Sequence, residues 1–351
     1  MKDYGIYNAG IVGGARSGGI RGVSRYNDSG SVRLMKDSAI ASGCAFLESE
    51  LEKREPKVRE PLSSITYTRD VPIKVGGGWV EYVSALNIDF GATGGSEDGP
   101  VSAPGANGSP IVQMNLEKDI FGTHVFSEIL RVPFVDMQRM QVTGKSLDAL
   151  LSDGVRLTYD KHMDANAYVG MARYGTTGLL NNANVTSAYV ANNSAGTSRA
   201  WSSKSADEIL ADVNSAITAV WAAGGYDLSA LPNHILIPHE QYTIIATTKV
   251  SGQADKSILE FLLDNNIAKR NGGNLVIAGC PWCKGKGASS SDRMVVYCHN
   301  ERFLAMEELV PLTRTMTQPN VEALAYDSVY MANVSELEMF YTQTIRYYDG
   351  I

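Results

Sequence analysis

The chain has 351 residues and a formal net charge of −7, too long for a single hydrophobic core to serve throughout, so two lobes or a body with extensions are expected. With 44% hydrophobic and 20% charged residues it has the composition of a soluble globular protein. No apolar run approaches the roughly 20 residues of a membrane span, and Met1-Lys-Asp-Tyr-Gly has no apolar signal core. The acidic balance excludes tight charge-driven nucleic-acid binding by the whole surface, though not by one basic face. Four cysteines, Cys44, Cys280, Cys283 and Cys298, are too few for a disulfide framework.

Residues 1–36 carry six basic against two acidic side chains and eight glycines, with little apolar content to offset the entropy of ordering. They read as an extended, locally basic arm, with a terminus of no role as the alternative. A helix is expected from Asp37 to Glu55, ended by Pro56. Residues 61–135 read as strands. Val80, Tyr82, Leu86, Ile88 and Phe90 alternate with Glu81, Asn87 and Asp89, and Val112, Met114 and Leu116 alternate with Gln113, Asn115 and Glu117. Turn formers without periodicity fill the stretch between them, predicting a long hairpin whose apolar face must be covered by the body or by a neighbour.

The spacing of Leu147, Leu150, Leu151, Val155, Thr158, His162, Ala165 and Val169 predicts one long helix from Ser146 to Gly170, with Asp148, Asp153, Arg156, Asp160, Lys161 and Asp164 largely between them. At 1.5 Å per residue it would be about 37 Å long. A Gly- and Asn-rich turn follows, then a surface loop over 186–204. Ser205-Ala-Asp-Glu208 is a capping box opening a helix with the stripe Ile209, Val213, Ile217, Val220 and Trp221, closed by Gly224-Gly225. A strand at His234–Ile237 precedes helices at 238–245 and 258–263, and strands are expected at Asn274–Ala278 and Arg293–Cys298. Beyond Glu301 the chain reads as β, ending in two alternating segments, Ala323–Asn333 and Glu336–Tyr348.

Chemical motifs are few. Val142-Thr-Gly-Lys-Ser146 imitates the end of a phosphate loop, but the required first glycine is Arg139, so it reads as a helix start capped by Ser146. No Gly-x-Ser-x-Gly elbow occurs, and His124, His162, His234, His239 and His299 form no zinc-binding helical pair. His162 is expected to be a hydrogen-bonded core histidine. Cys280-Pro-Trp-Cys283 with Cys298-His299 is the sharpest signal. It could be a redox pair, or a metal site with Cys280, Cys283, Cys298 and His299 as candidate ligands, or three structural thiols. The last reading is preferred, because Gly285 and Gly287 oppose the helix a redox pair needs and adjacent strand residues face opposite ways. No catalytic residue and no cofactor are expected.

Gly178-Leu-Leu-Asn181 after the long helix, Pro238-His-Glu-Gln-Tyr242 with Ala246-Thr-Thr248, Ile258–Asn266, Asp292-Arg-Met-Val-Val-Tyr297 and the ending Tyr347-Tyr-Asp-Gly-Ile351 occur in one order over roughly 60–351. In that order the chain resembles tailed-bacteriophage major capsid proteins with the Hong Kong phage 97 fold, in particular a subfamily with Gly-Leu-Leu-Asn after its spine helix. The resemblance implies an α+β fold: residues 1–60 an N-terminal arm with one helix, 61–135 the E-loop hairpin and flanking strands, 136–181 a P-domain including the spine helix, 182–300 an α/β A-domain, and 301–351 strands returning to the P-domain.

It also implies a function. Copies would assemble as hexamers and pentamers into an icosahedral head enclosing double-stranded DNA, in the bacterial host cytoplasm, without catalysis and without a membrane. A portal and a decoration protein would be further partners, and DNA would be touched non-specifically. The family's type member joins an E-loop lysine to a neighbour's asparagine. The tip 91–109 here has no lysine, so cross-linking is not expected. Because the chain begins at Met1, N-terminal cleavage is not expected and a separate scaffolding protein is. An encapsulin-like nanocompartment shell is the nearest alternative, and a thiol or zinc protein built on Cys280 and Cys283 the more distant one.

Overall fold

The computed structural model describes residues 25–28, 31–34, 64–93, 111–143, 147–250 and 256–351. The expected helix at 37–55, the hairpin tip between 94 and 110, and the Gly-Lys-Ser imitation at 144–146 lie outside them. Contacts divide the chain into residues 1–62 and 63–351. In the first unit, β1 (Arg25–Asp28) and β2 (Ser31–Leu34) form an antiparallel pair.

The second unit is α+β. A short helix α1 (Tyr67–Asp70) and strand β3 (Ile73–Val75) lead into the hairpin of β4 (Tyr82–Thr93) and β5 (Ile111–Pro133). Helix α2 (Phe134–Thr143), which the sequence reading did not anticipate, precedes the long helix α3 (Leu147–Tyr168), which spans about 33 Å at the usual rise. The chain then gives β6 (Thr186–Tyr189), α4 (Ala206–Ala223), β7 (His234–Ile237), α5 (His239–Thr247), α6 (Ile258–Asn265), α7 (Ile267–Arg270), β8 (Val276–Gly279) and β9 (Arg293–Tyr297). It ends in β10 (Leu304–Asn320), β11 (Ala325–Ser335), β12 (Glu338–Met339) and β13 (Ile345–Asp349).

Two sheets organise these elements. The first runs β12-β10-β11-β5-β4, with β3 parallel to β10, and the second β6-β13-β9-β7-β8. The return of residues 301–351 is therefore split. Strands β10 to β12 join the first sheet, whereas β13 pairs antiparallel to β9 and parallel to β6, inside the α/β sheet rather than with the hairpin and long helix. Alternating residues announce a strand but not which distant edge receives it. The same pairing turns part of the expected surface loop, Thr186–Tyr189, into an edge strand.

Helix α4 behaves as its sequence requires. The Ser205 Oγ accepts from the Glu208 amide at 3.4 Å, and the Glu208 carboxylate accepts from the Ser205 amide at 2.7 Å. The Ser205 amide, with that of Ser194, holds the Glu208 carboxyl down to about 2. Ile209, Val213, Ile217 and Val220 are buried against the second sheet with Ile235, Ile237 and Val296.

The long helix is where expected, but its buried face is rotated. Val155, Tyr159, Met163 and Ala167 are buried in steps of four, Thr158 is exposed, and Asp164, placed by the sequence on the polar side, is 2% exposed. Burial of Asp164 is compensated. One of its oxygens accepts the Thr66 and Tyr67 amides at 2.8 and 3.1 Å, and the other the Trp282 indole at 2.6 Å.

The helix ends on Gly178-Leu-Leu-Asn181. The Leu179 and Leu180 amides donate to the Ala167 and Tyr168 carbonyls at 2.9 and 3.0 Å, and the Asn181 side-chain amide to the Val169 carbonyl at 2.7 Å. The last helical carbonyls thus find donors. A Cβ on Gly178 would lie 2.3 Å from the Tyr168 backbone, so the close approach requires glycine. Leu179 and Leu180 are fully buried, and their own carbonyls accept from Tyr347 and Arg293 of the second sheet.

Candidate functional site

Strand pairing fixes which side chains share a face of the β4–β5 ribbon. Tyr82 is opposite Gly122, Ser84 opposite Ile120, Leu86 opposite Lys118, Ile88 opposite Leu116 and Phe90 opposite Met114. Alternation sends these residues to one side and Asn87, Asp89, Asn115 and Glu117 to the other. Apart from Ser84 and Lys118 the first side is apolar, and it is open: Leu86, Ile88, Phe90, Met114, Leu116 and Ile120 are each more than half exposed.

Further along β5 the same parity reaches Phe126, Leu130 and Val132. There the long helix covers it, through the Tyr159 ring 5.3 Å from Phe126 and through Val155 beside Leu130 and Val132. The ribbon thus continues a core-forming face beyond the helix that would cover it. Fully burying six such side chains is worth roughly 10 kcal/mol or more, before the costs of association. An isolated soluble chain has no use for such a face.

At its base the ribbon is fixed to the first sheet, and the helix α1 that precedes it to the second. The Glu336 carboxylate accepts the Gly122 amide at 2.8 Å, and Asn333 donates to the Gly78 and Val80 carbonyls at 3.2 and 3.1 Å. Asp70, fully buried, pairs with Arg69 at 2.6 Å and accepts the Tyr168 hydroxyl of the long helix. Its carbonyl accepts from the Tyr297 hydroxyl of β9 at 2.6 Å, and Arg69 reaches the Gly279 carbonyl at 3.1 Å.

The structure does not bring the four candidate metal ligands together. Cys280 and Cys283 are fully buried in the main core beside Tyr168 and Tyr297, while Cys298 belongs to a separate cluster with Ala230 and Phe303 and donates to the Ser229 carbonyl at 3.4 Å. His299 stacks on His234, ring centroids 4.8 Å apart. Among the described residues no group of three or more His, Cys, Asp and Glu side chains could hold a metal ion.

The thiols are poorly placed for chemistry. A hydrogen bond with Cys280, then burial, pushes Cys283 well above the ordinary thiol range, and burial pushes Cys298 up to about 11. Neither is a thiolate at neutral pH. Burial, then His299, lowers His234 to about 4, so it is held neutral. His162 is half-buried with its ring 5.4 Å from Phe126, and burial, then His124, lowers it.

Sequence reasoning missed Asp70, Asp164, Trp282 and the buried pair of Arg293 with Asp349 at 2.7 Å. One signal was available: Trp282 between two buried cysteines marks an aromatic anchor rather than a redox loop.

A family model described as "Major capsid protein" matches residues 105–351. The chain belongs to the major capsid protein family. A search among curated proteins found no match. Among solved structures, the capsid of Myoviridae phage XM1 is similar with a TM-score of 0.71 at 16% identity, over 86% of this chain and 98% of that one. A chain of Microbacterium phage Oxtober96 gives 0.58 at 11% identity over 87% and 98%. The capsid of a native GTA particle gives 0.58 at 11% over 85% and 94%.

At these identities the structural likenesses show the fold, which is the Hong Kong phage 97 type expected from the sequence. With the family, they make this a structural protein of an icosahedral bacteriophage capsid. The nanocompartment alternative is not favoured, because the matching family model is that of the capsid protein.

Proposed function

We propose that the major capsid protein builds its shell as hexamers and pentamers around double-stranded DNA, without catalysis, by laying the apolar face of the β4–β5 ribbon on a neighbouring copy. The observation that carries this reading is the exposed face of Leu86, Ile88, Phe90, Met114, Leu116 and Ile120, continuous in strand parity with the face the long helix buries. In this reading residues 61–135 are the E-loop, 136–181 the P-domain with the long helix as spine, and 182–300 the A-domain. Strand β13 adds the chain's end to that last body. Gly178–Asn181 as a subfamily mark is part of the same proposal, supported by its role in closing the spine.

The basic segment 1–36 serves as an arm that touches packaged DNA by charge alone. A separate scaffolding protein, a portal and a decoration protein are proposed partners, with assembly in the host cytoplasm and residence in the virion. Noncovalent contacts carry the shell, because the tip 91–109 offers no lysine. Cys280, Cys283 and Cys298 pack in the interior and do not react.

The test is the double variant Leu86→Asp with Ile88→Asp. Both side chains are exposed in the single chain, so the body should melt within a few degrees of the parent by circular dichroism while sedimentation shows particle yield reduced at least tenfold. Particles at the parent yield would remove the ribbon from the assembly contact.

A further inference from the structure

The second sheet ends at the edge strand β6, and beside it lies a pocket of about 420 Å³ whose ten lining residues include no Asp or Glu. One wall is the loop 192–200. It is shaped from within by Asn193, whose side-chain oxygen accepts the Thr197 and Ser198 amides at 2.9 and 3.2 Å and whose own amide donates to the Ser198 carbonyl at 2.8 Å. The opposite wall is the turn 287–291. It is held by the Gly287 amide on the Ser291 carbonyl at 2.8 Å and by the Ala288 amide on the Asp349 carboxylate at 2.9 Å. Ser289 and Ser290 in that turn sit at φ of 56° and 59°, so the wall has a fixed, uncommon backbone shape.

Between the walls the Arg199 guanidinium lies 4.4 Å from the centre of the Tyr189 ring and has no carboxylate within ion-pair distance among the described residues. The Ser291 Oγ is buried with no hydrogen-bond partner. An exposed guanidinium held over a tyrosine ring, in a lining without Asp or Glu, is chemistry suited to an oxyanion; the Ser291 hydroxyl is turned away toward Gly287 and takes no part.

The geometry points to this pocket as an oxyanion seat filled, in the shell, by a carboxylate from a second copy of the chain. The inference rests on the proposed self-assembly and names a contact outside the ribbon. A second copy is the source favoured by composition, since each chain carries 38 acidic against 31 basic side chains and so brings surplus carboxylates to its neighbours. The pocket is open to solvent and its guanidinium is exposed, as a seat for an incoming side chain must be.

Three variants and one ligand test the inference. R199E reverses the charge, R199K keeps it without the fork, and S289D places a carboxylate at the pocket mouth on a backbone that Asp tolerates. Each is compared with the full-length parent by circular-dichroism melting and by sedimentation of assembled particles. R199E and S289D should melt like the parent and lose at least tenfold in particle yield, with R199K between. Parental yield in either R199E or S289D overturns the proposal, and S289D keeps the test open should R199E fail to fold. Inorganic phosphate is the second arm. If it raises the melting temperature of unassembled parent but not of R199E, while R199E still forms particles normally, the seat takes a free oxyanion and the second-copy occupant is wrong. A parent chain that forms no particles overturns the assembly reading itself, an outcome distinct from failure in the variants alone.

Discussion

Single residues carry the tension between burial and charge in this body. Glu338 is fully buried on β12 with neither carboxylate oxygen hydrogen-bonded. Burial, reinforced by Glu307, raises its carboxyl from 4.5 to about 7. The folded state therefore holds a proton that the unfolded chain releases. Between about pH 4.5 and 7 the unfolded chain binds fewer protons, so stability falls as pH rises through that window and the loss is complete above it. Glu338→Gln keeps the neutral form and should remove this slope. Relative to the parent, the variant should gain up to about 3 kcal/mol on going from pH 5 to pH 8 in urea titrations of the unassembled chain. Parallel stability curves for the two proteins would show that Glu338 is not the group responsible.

Asp164 teaches a different lesson at the same scale. A helical Asp with donors nearby in space but 98 and 118 residues away in sequence looks identical to a solvated one. Its burial was illegible because its partners, the amides of Thr66 and Tyr67 and the Trp282 indole, are not local.

Elements whose causes are local were legible. The α4 capping box and its stripe are written within a few residues, and the alternation of β4 and β5 predicted both the ribbon and its apolar side. The long helix was found to within a few residues, but its face was misjudged. Small and weakly apolar residues such as Thr158 and Ala165 counted as core in the spacing, whereas Tyr159 and Met163 face inward. The partner of β13 and the helix α2 were not legible, since the first depends on a distant strand edge and the second is only ten residues long and follows directly on a strand.

The turn at Gly178–Asn181 is an element that can be tested as such. It closes the helix and offers its carbonyls to the second sheet. Gly178→Ala would force a Cβ to 2.3 Å from backbone atoms that cannot step aside, and should cost about 3 kcal/mol in chemical denaturation. A loss under about 1 kcal/mol would mean that the helix end and the turn are not locked together.

Within residues 63–351 the first sheet, the long helix and the second sheet form a body in which buried polar junctions at Asp70 and Asp164 tie α1 to the long helix and the second sheet. From the first sheet the β4–β5 ribbon presents an exposed apolar face, which an assembling shell needs and a monomer does not. Sequence pattern reached this level through the order of its motifs and the unsatisfied ribbon, while the charge seat at Arg199 came only from the fold. Negative-stain microscopy of the purified full-length chain tests the central claim most directly. Closed shells or flat sheets of hexamers are the expected result, and a chain that stays a dispersed monomer at every concentration and salt condition would contradict it.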